Sequence, residues 1–486
     1  MAVVQPPVSL TAPDRPCWLS ITQAAELIAA RRLSPVELTR SVLERIEETD
    51  ERVQAYVTVL GDSALEAAHA AEAAIARGAY RGPLHGIPVA LKDLYYTAGT
   101  PTGAGSHVLD GFVPAHDATV TDRLQEAGAI VVGKTVTSEF AYGQNTPVTR
   151  NPWDLERTPG GSSAGSGAAV AAGSCLAAMG TDTGGSIRMP ASVDGVVGLK
   201  PTYGRVSRYG VVPLSWSLDH CGPLTRTVED AGLMLQATAG YDARDPASAN
   251  VPLGDLTTDM LKGVRGLRLG VPRNYFFDRI HRNVREAFEQ ALTILTDLGA
   301  VRVDVTLPGV ELAVPIGIGI LMPEASVIHQ QWLRQTPERY DEGTRRMLEA
   351  GELQLATHYL QAQRARAALK NGFKTVFGEH ALDALITPTE PTTATRIDQT
   401  VVDFGEAGQE PFFSTFVRQT IPFNVSGLPA LSVPCGFSVD TEGGRIGAGL
   451  PIGLHVAGRP FGEATILRIG SAYQSVTDWH TRRPPL

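Results

Sequence analysis

The stretch from Gly180 to Pro190, GTDTGGSIRMP, places two adjacent glycines directly before a serine, Ser186. Because glycines let successive backbone N–H groups converge on one point, such a stretch is suited to holding an anion. A serine at that point is a candidate nucleophile if a base lies near it. The nearest histidine along the chain is His220, and nothing in the sequence links it to Ser186. The sequence therefore predicts a serine nucleophile whose base must be found elsewhere.

Lys92 is the candidate base. Only six of the 42 basic residues are lysines, and Lys92 ends an apolar, strand-like run, GIPVALKD. Burial at a strand end disfavours the ammonium form and lowers its pKa toward neutrality. Lysine can then accept a proton, which arginine cannot do in a protein. The alternative interpretation is a salt bridge between Lys92 and Asp93, or an exposed lysine.

A second serine segment, GGSSAGSGAAVAAG over 160–173, precedes the first and contains Ser162. Lys92, the Ser162 segment and the Ser186 segment together resemble the amidase signature family, whose catalytic set is serine, serine and lysine. The similarity continues through HGIPVALKD, DGVVGLKPTYGRVS, LDHCGPLTRTVED and SGLPALSVPCG, and so covers nearly the whole chain.

The resemblance implies a role for each matching residue. Ser186 is the nucleophile that accepts the acyl group, and Ser162, preceded by a cis peptide bond, connects it to Lys92. The backbone N–H groups of the oxyanion hole come from Thr183, Gly184, Gly185 and Ser186. Asp182 and Arg188 support the loop by pairing or capping. The resemblance implies no metal and no organic cofactor.

Two other motifs match catalytic or binding patterns. GAIVVGKT, residues 128–135, has the spacing of a phosphate-binding loop, but its apolar interior favours a strand. GSSAG, residues 161–165, has the spacing of a nucleophile elbow centred on Ser163, with His455 as a base. The polar run before it, LERTPG, is not a buried strand. The elbow is therefore disfavoured. A nucleotide-binding protein that uses residues 128–135 also remains, as the less favoured alternative.

The elements that position these residues follow from periodicity. Residues 20–75 are predicted to be helical, with capping-box or N-cap signals at Ser20 and Ser34, so 1–78 is an N-terminal helical segment. From residue 83 strands alternate with helices, which predicts an α/β fold with one large, mixed but mostly parallel sheet covered by helices on both faces. We expect one amidase domain over 1–486, with a helical region at 310–380 that forms a lid over the substrate pocket or a partner surface.

Composition narrows the classes of partner and compartment. The chain has 486 residues, a net charge of −9 and a pI near 5.7, which argues against nucleic acid as a partner. The four cysteines lack metal or disulfide spacing, and the first 17 residues lack the features of a signal peptide. Apolar windows such as GAAVAAGSCLAAMG are too short to span a membrane. We expect a cytoplasmic protein with a small-molecule amide substrate, and a homodimer stays open.

The substrate is less constrained. We expect an amidase that hydrolyses a carboxylic amide, anilide or carbamate. The alternative is the A subunit of a glutamine-dependent tRNA amidotransferase, which supplies ammonia to a partner. That branch typically carries an aspartate just ahead of the run TIPFNVSGLPALS, where this chain has Val417, Arg418 and Gln419. Phe412, Phe413 and Phe416 are predicted either to line an apolar pocket or to pack in the core.

Overall fold

The computed structural model describes residues 15–142, 148–439, 447 and 449–486. Within these residues eleven strands form one sheet in the order β1-β3-β2-β4-β6-β5-β12-β13-β9-β7-β8, and two short strands pair separately. The strands are β1 (Tyr56–Val59), β2 (Pro88–Lys92), β3 (Ile130–Thr135), β4 (Ala177–Asp182), β5 (Val197–Lys200), β6 (His220–Thr225), β7 (Arg268–Pro272), β8 (Val301–Val305), β9 (Ala384–Pro388), β10 (Val401–Asp403), β11 (Gln409–Pro411), β12 (Ala430–Phe437) and β13 (Pro451–Gly458).

The expected mixed sheet is confirmed, but its parallel share is smaller than expected. Four of its ten neighbouring pairs are parallel: β2 with β3 and β4, and β7 with β8 and β9. The other six pairs are antiparallel. Strands that alternate with helices pair in parallel only where the crossover returns to a neighbouring position. In the centre of this sheet the chain instead inserts β6 between β4 and β5.

The helices cover both faces of the sheet. Strands such as β2, β4, β9 and β13 are accordingly buried along their whole length. The α-helices are α1 (Ile21–Ala29), α2 (Pro35–Val53), α3 (Gly61–Ala76), α4 (Thr119–Glu126), α5 (Ala164–Ala172), α6 (Arg188–Asp194), α7 (Val228–Thr238), α8 (Leu256–Met260), α9 (Arg282–Asp297), α10 (Ala313–Gln335), α11 (Glu342–Glu352), α12 (Ala356–Glu379), α13 (Phe412–Arg418), α14 (Ile421–Ser426) and α15 (Glu463–Gln474).

The N-terminal segment is less uniform than its pattern predicts. Ser20 forms a capping box with Gln23, and Ser34 caps α2 through the N–H groups of Val36 and Glu37. Between α2 and α3, however, the chain forms β1, which pairs with β3 at the edge of the sheet. Four residues are too few to show a strand period between two strong helices. The segment is therefore part of the sheet as well as of the helical layer.

The region 310–380 consists mainly of α10, α11 and α12. Together, α10 and the turn before it, Val310–Gln335, are long and apolar enough to cross a membrane by length and composition. The sequence analysis did not predict this segment as a membrane candidate. In the structure α10 carries a buried carboxylate, Glu324, which accepts hydrogen bonds from Ser215, Ser217 and Tyr359. A carboxylate held in this way, together with the packing of Ile316 and Ile320 in a core cluster, is typical of an interior helix.

Candidate active site

Lys92 lies at the end of β2 and is fully buried. Its Nζ is 2.7 Å from Ser162 Oγ, 2.8 Å from Thr181 Oγ1 and 3.0 Å from Ser163 Oγ. Burial lowers the pKa of the Lys92 amine to about 7, against the raising effect of the Asp182 and Asp219 charges. A substantial fraction of the amine is therefore neutral near pH 7 and has a lone pair.

The hydrogen bonds of Ser163 indicate where that lone pair points. Ser163 Oγ donates to the Thr181 carbonyl at 3.1 Å, so it must accept from Lys92. A neutral amine has two hydrogens, and with the second on Thr181 Oγ1 its lone pair faces Ser162. The Ser162 hydroxyl can then donate to Lys92 Nζ, which is the direction that general-base catalysis needs.

Thr181 was missed by the sequence reasoning, and we expect it to act as a positioning residue for Lys92. Thr181→Val removes the acceptor and keeps the shape, so kcat is expected to fall about tenfold, the effect of one lost hydrogen bond, with little change in KM. Thr181→Ser keeps the hydroxyl and is expected to restore most of kcat. Steady-state kinetics on one amide would check this, and equal activity of the two variants would contradict it.

The structure contains neither the salt bridge considered for Lys92 nor the phosphate-binding loop considered for the segment with Lys134. Asp93 contacts Lys134 at 3.1 Å, and Lys134 also donates to Thr102 at 2.9 Å, so Lys92 is not the partner of Asp93. Lys134 and Gly133 lie inside β3, where a Cβ on Gly133 would overlap the Thr58 carbonyl. Residues 130–135 of this motif therefore form a strand rather than a phosphate-binding loop, and the nucleotide-binding alternative is wrong.

Ser162 is held where α5 begins. The peptide bond Gly161–Ser162 is cis, as the resemblance implies. The Ser162 carbonyl accepts from Ser138 N–H at 3.2 Å. Small residues let α5 approach closely, since a Cβ on Gly165 would overlap the Ala55 backbone. The glycine-rich run 160–173 thus has a packing reason in addition to its chemistry.

The loop after β4 presents unused backbone donors. In the described part of the chain, the N–H groups of Gly184, Gly185 and Ser186 make no hydrogen bond. Ser186 Oγ likewise has no hydrogen-bond partner among these residues, and the Ser186 carbonyl accepts from Ser163 N–H at 3.3 Å. Backbone N–H groups in folded proteins are nearly always paired, so three consecutive free donors beside a hydroxyl indicate a place for an anionic oxygen.

Gly185 is required by both conformation and space. Its φ is +144°, and a Cβ there would overlap the Thr420 hydroxyl, which donates to the Gly184 carbonyl at 2.6 Å. At Gly184 a Cβ would meet only Val417 and Ile421, at 3.8 and 4.0 Å.

These contacts make Gly184→Ala the control for Gly185→Ala. We expect Gly185→Ala to lower kcat by on the order of a hundredfold, because it displaces oxyanion donors. Gly184→Ala is expected to keep most of the activity. Kinetics and the Tm of both variants would check this, and similar losses in the two variants would contradict it.

Asp182 and Arg188 form a buried pair beneath this loop. Arg188 Nε and Nη2 donate to the two Asp182 oxygens at 3.0 and 2.9 Å, and Asn424 Nδ2 donates to the same carboxylate at 2.7 Å. Burial alone would raise the pKa of Asp182, but the Arg188 charge and these hydrogen bonds hold it well below its ordinary value. Ile187 N–H also donates to Asp182, so the pair fixes the start of α6 directly after Ser186.

Neither nearby histidine is hydrogen-bonded to a candidate nucleophile among the described residues. His455 Nε2 lies 3.2 Å from Arg188 Nη1, which can only donate, so its lone pair is already used. His220 Nδ1 lies between two carbonyl oxygens, those of Leu218 and Asp182, and therefore carries its hydrogen there, whereas its Nε2 contacts neither Ser162 nor Ser186. Burial lowers the pKa of both imidazoles well below the ordinary value. The nucleophile elbow with Ser163 and His455 is therefore wrong.

A cavity of about 220 Å³ opens beside the loop. Thr181 and Thr183 reach it from the candidate catalytic side. Its apolar wall is formed by Leu94, Val211, Val212, Pro213, Leu214 and Trp216. No residue of 310–380 lines this cavity; Glu324 instead holds residues 215–217 from behind. The helical region thus supports the pocket wall.

The phenylalanines of α13 pack away from this cavity. Phe416 belongs to a small buried cluster with Met189 and Val193, and the Phe412 ring lies 4.6 Å from it, centroid to centroid. Phe413 packs against the cluster that includes α10. Of the two interpretations, the structure favours core packing for these three residues.

Comparison with known proteins places the chain in a family. The family model described as Amidase matches residues 37–467. An amidase of Pseudomonas putida is 47% identical over 474 residues, covering 96% of this chain and 98% of that protein. The A subunit of the glutamyl-tRNA(Gln) amidotransferase of Chloroflexus aurantiacus is 43% identical, covering 96% and 98%. The solved structure of native peptide amidase from Stenotrophomonas maltophilia superimposes with a TM-score of 0.84 at 33% identity, covering 96% and 98%.

The chain therefore belongs to the amidase signature family. It is a hydrolase that acts on carbon–nitrogen bonds other than peptide bonds.

Proposed function

We propose that this protein hydrolyses a carboxylic amide, or a related acyl C–N bond, through a serine acyl-enzyme formed by Lys92, Ser162 and Ser186. The observation that carries the proposal is the buried Lys92 amine, 2.7 Å from Ser162 Oγ and beside a loop whose N–H groups are free. The proposal thus combines a base, a hydroxyl relay and an oxyanion site. The proposal includes no metal and no organic cofactor.

The proposed reaction starts with neutral Lys92, which takes the Ser162 proton. Ser186 Oγ is unpaired among the described residues, so Ser162 takes the Ser186 proton once bound substrate has brought the two hydroxyls within hydrogen-bond reach. Ser186 Oγ bonds to the substrate's carbonyl carbon, and the oxygen that becomes negative binds the N–H groups of residues 183–186. When the C–N bond breaks, Ser162 delivers a proton to the leaving nitrogen. Water then attacks the acyl-enzyme, so that the acid leaves and Ser186 regains its proton.

The second candidate is the A subunit of a glutamine-dependent tRNA amidotransferase, which the relative from Chloroflexus aurantiacus favours. A glutaminase must hold the ammonium and carboxylate of glutamine. At the place where that branch carries an aspartate, Val417 lies 3.8 Å from a Cβ position on Gly184. Arg418 donates to Glu410 and to the carbonyls of Tyr275 and Arg279, so its guanidinium is already committed. An apolar neighbour and a committed arginine favour the free-standing amidase.

A substrate panel tests the two candidates. The purified full chain is assayed on aliphatic amides, anilides, carbamates, esters and free glutamine, by ammonia or amine release. We expect turnover of at least one amide or anilide with an apolar group, and none of glutamine. Release of ammonia from glutamine alone would favour the amidotransferase role, and no turnover of any substrate would contradict the amidase. Ser186→Ala assayed in parallel reports contaminating activity.

We further propose a single domain over 1–486, a cytoplasmic location and a small-molecule substrate, with a homodimer left open. The described residues contain no group of three or more His, Cys, Asp or Glu side chains that could hold a metal ion. The prediction of no signal peptide concerns the first 17 residues, and residues 1–14 of these lie outside the described residues.

A further inference from the structure

A second cavity, of about 310 Å³, lies apart from the candidate active site. It is bordered by Trp18, Trp153 and the C-terminal residues His480 to Arg483, and it shares no lining residue with the cavity that Thr181 and Thr183 line. Three of its lining side chains are arginines: Arg226, Arg482 and Arg483. We refer to it as the arginine cavity.

The base of the arginine cavity carries a fixed positive charge. Arg226 donates to the backbone carbonyls of Cys175 and Cys17, at 3.0 and 3.2 Å, and also contacts those of Val170 and Leu19. Among the described residues no carboxylate lies within ion-pair distance of this guanidinium. Carbonyl oxygens satisfy its hydrogens without neutralising its charge.

The rim of the arginine cavity carries two more guanidiniums with free edges. Arg482 lies 4.4 Å from the Trp479 ring centroid, and Arg483 lies 4.7 Å from that of Trp18. Stacking holds the planar groups in place while leaving their N–H edges available. Neither arginine makes an ion pair or side-chain hydrogen bond within the described part of the chain.

The nearby acidic groups that the structure describes make no ion pair with these arginines. Asp230, which does not line the cavity, attracts Arg226 at a distance and accepts from two backbone N–H groups at the start of α1. The one acidic lining residue of the cavity is Asp194, which is fully buried, and both of its carboxyl oxygens lack a hydrogen-bond partner in the described structure. Burial raises the pKa of Asp194 well above its ordinary value, which disfavours its charged form. His480, which also borders the cavity, has an unpartnered Nδ1.

A cavity lined by three guanidiniums contrasts with the net charge of −9 of the whole chain. Guanidinium forks match the paired oxygens of carboxylate and phosphate groups. We propose that the arginine cavity binds a small oxyanion, a carboxylate or a phosphate, through Arg482 and Arg483 with the Arg226 charge beneath. This site is separate from amide hydrolysis and does not depend on it.

Calorimetric titration of the full-length protein with inorganic phosphate, and separately with malonate, tests the proposal and distinguishes the two anion classes. We expect saturable binding of at least one anion, weakened tenfold or more in Arg482→Gln/Arg483→Gln. The control, Arg40→Gln/Arg77→Gln, removes two exposed arginines elsewhere and is expected to bind like the unaltered protein. Arg483→Lys, which keeps the charge and loses the fork, is expected to bind with intermediate affinity.

Two results would overturn the proposal. One is the absence of saturable binding of both anions at low ionic strength. The other is equal weakening by the cavity pair and the control pair, which would mean that the anions respond only to net charge. Because both cavity arginines are exposed, the Tm of the double variant is expected to match that of the control pair, so that lost binding is not lost folding.

Discussion

Ser186→Ala is expected to abolish covalent labelling by a sulfonyl fluoride and to lower kcat/KM by on the order of 10³-fold or more, as loss of a nucleophile does. The reason is local. Ser186 Oγ has no hydrogen-bond partner among the described residues, and the free N–H groups of Gly184 and Gly185 precede it. The substitution removes one oxygen and leaves the Asp182–Arg188 pair that shapes the loop intact. The Tm is therefore expected to change little.

Ser163→Ala distinguishes the two serines that sequence motifs offer as nucleophiles. The Ser163 hydroxyl donates to the Thr181 carbonyl and accepts from Lys92, so it has no free role in attack. Labelling of Ser163→Ala is expected to continue, at a lower rate because Lys92 loses an acceptor. Mass spectrometry of the labelled peptides locates the modified residue. Label on Ser163, or label that persists in Ser186→Ala, would contradict the assignment.

Much of the fold was predictable where local signals are strong. The caps at Ser20 and Ser34 and the apolar run in 128–135 formed the elements that their patterns indicate. β1 was not predictable, because a four-residue strand has no period of its own and is stabilised by pairing with β3. The antiparallel centre of the sheet was missed for a related reason, since strand order depends on long-range packing.

The candidate site likewise contains residues that a local motif marks and residues that only long-range contacts place. Lys92, Ser162 and Ser186 stand out because each lies in a recognisable run, but only the resemblance to a family joins them into one set, and their catalytic roles stay a prediction. Thr181 and Thr420 carry no motif, and their roles follow from contacts across the fold, with Lys92 and with the Gly184 carbonyl. An isolated threonine in a sequence gives no sign of which side chain it will face.

The pH dependence of turnover is expected to report the Lys92 amine. Burial lowers the pKa of this amine from 10.5 to about 7, and the base must be neutral to act. Activity is therefore lost as pH falls through about 7, and kcat/KM is expected to reach a plateau above it. One pH unit below the pKa, about a tenth of the plateau rate remains. A lysine in water would place the same limb near pH 10.5. Rates measured from pH 5.5 to 10 would separate the two cases.

Replacing Lys92 separates its charge from its role as a base. Lys92→Ala removes the proton acceptor, so kcat is expected to fall by about 10²-fold or more and the limb near pH 7 is expected to disappear. Lys92→Arg keeps a cation that cannot be deprotonated, and we expect it to be nearly as harmful. The control is Lys262→Ala, an exposed lysine paired with Asp259, which is expected to leave the profile unchanged. If Lys92→Arg retained both rate and profile, a positive charge would suffice there, and the proton relay through Ser162 would be excluded.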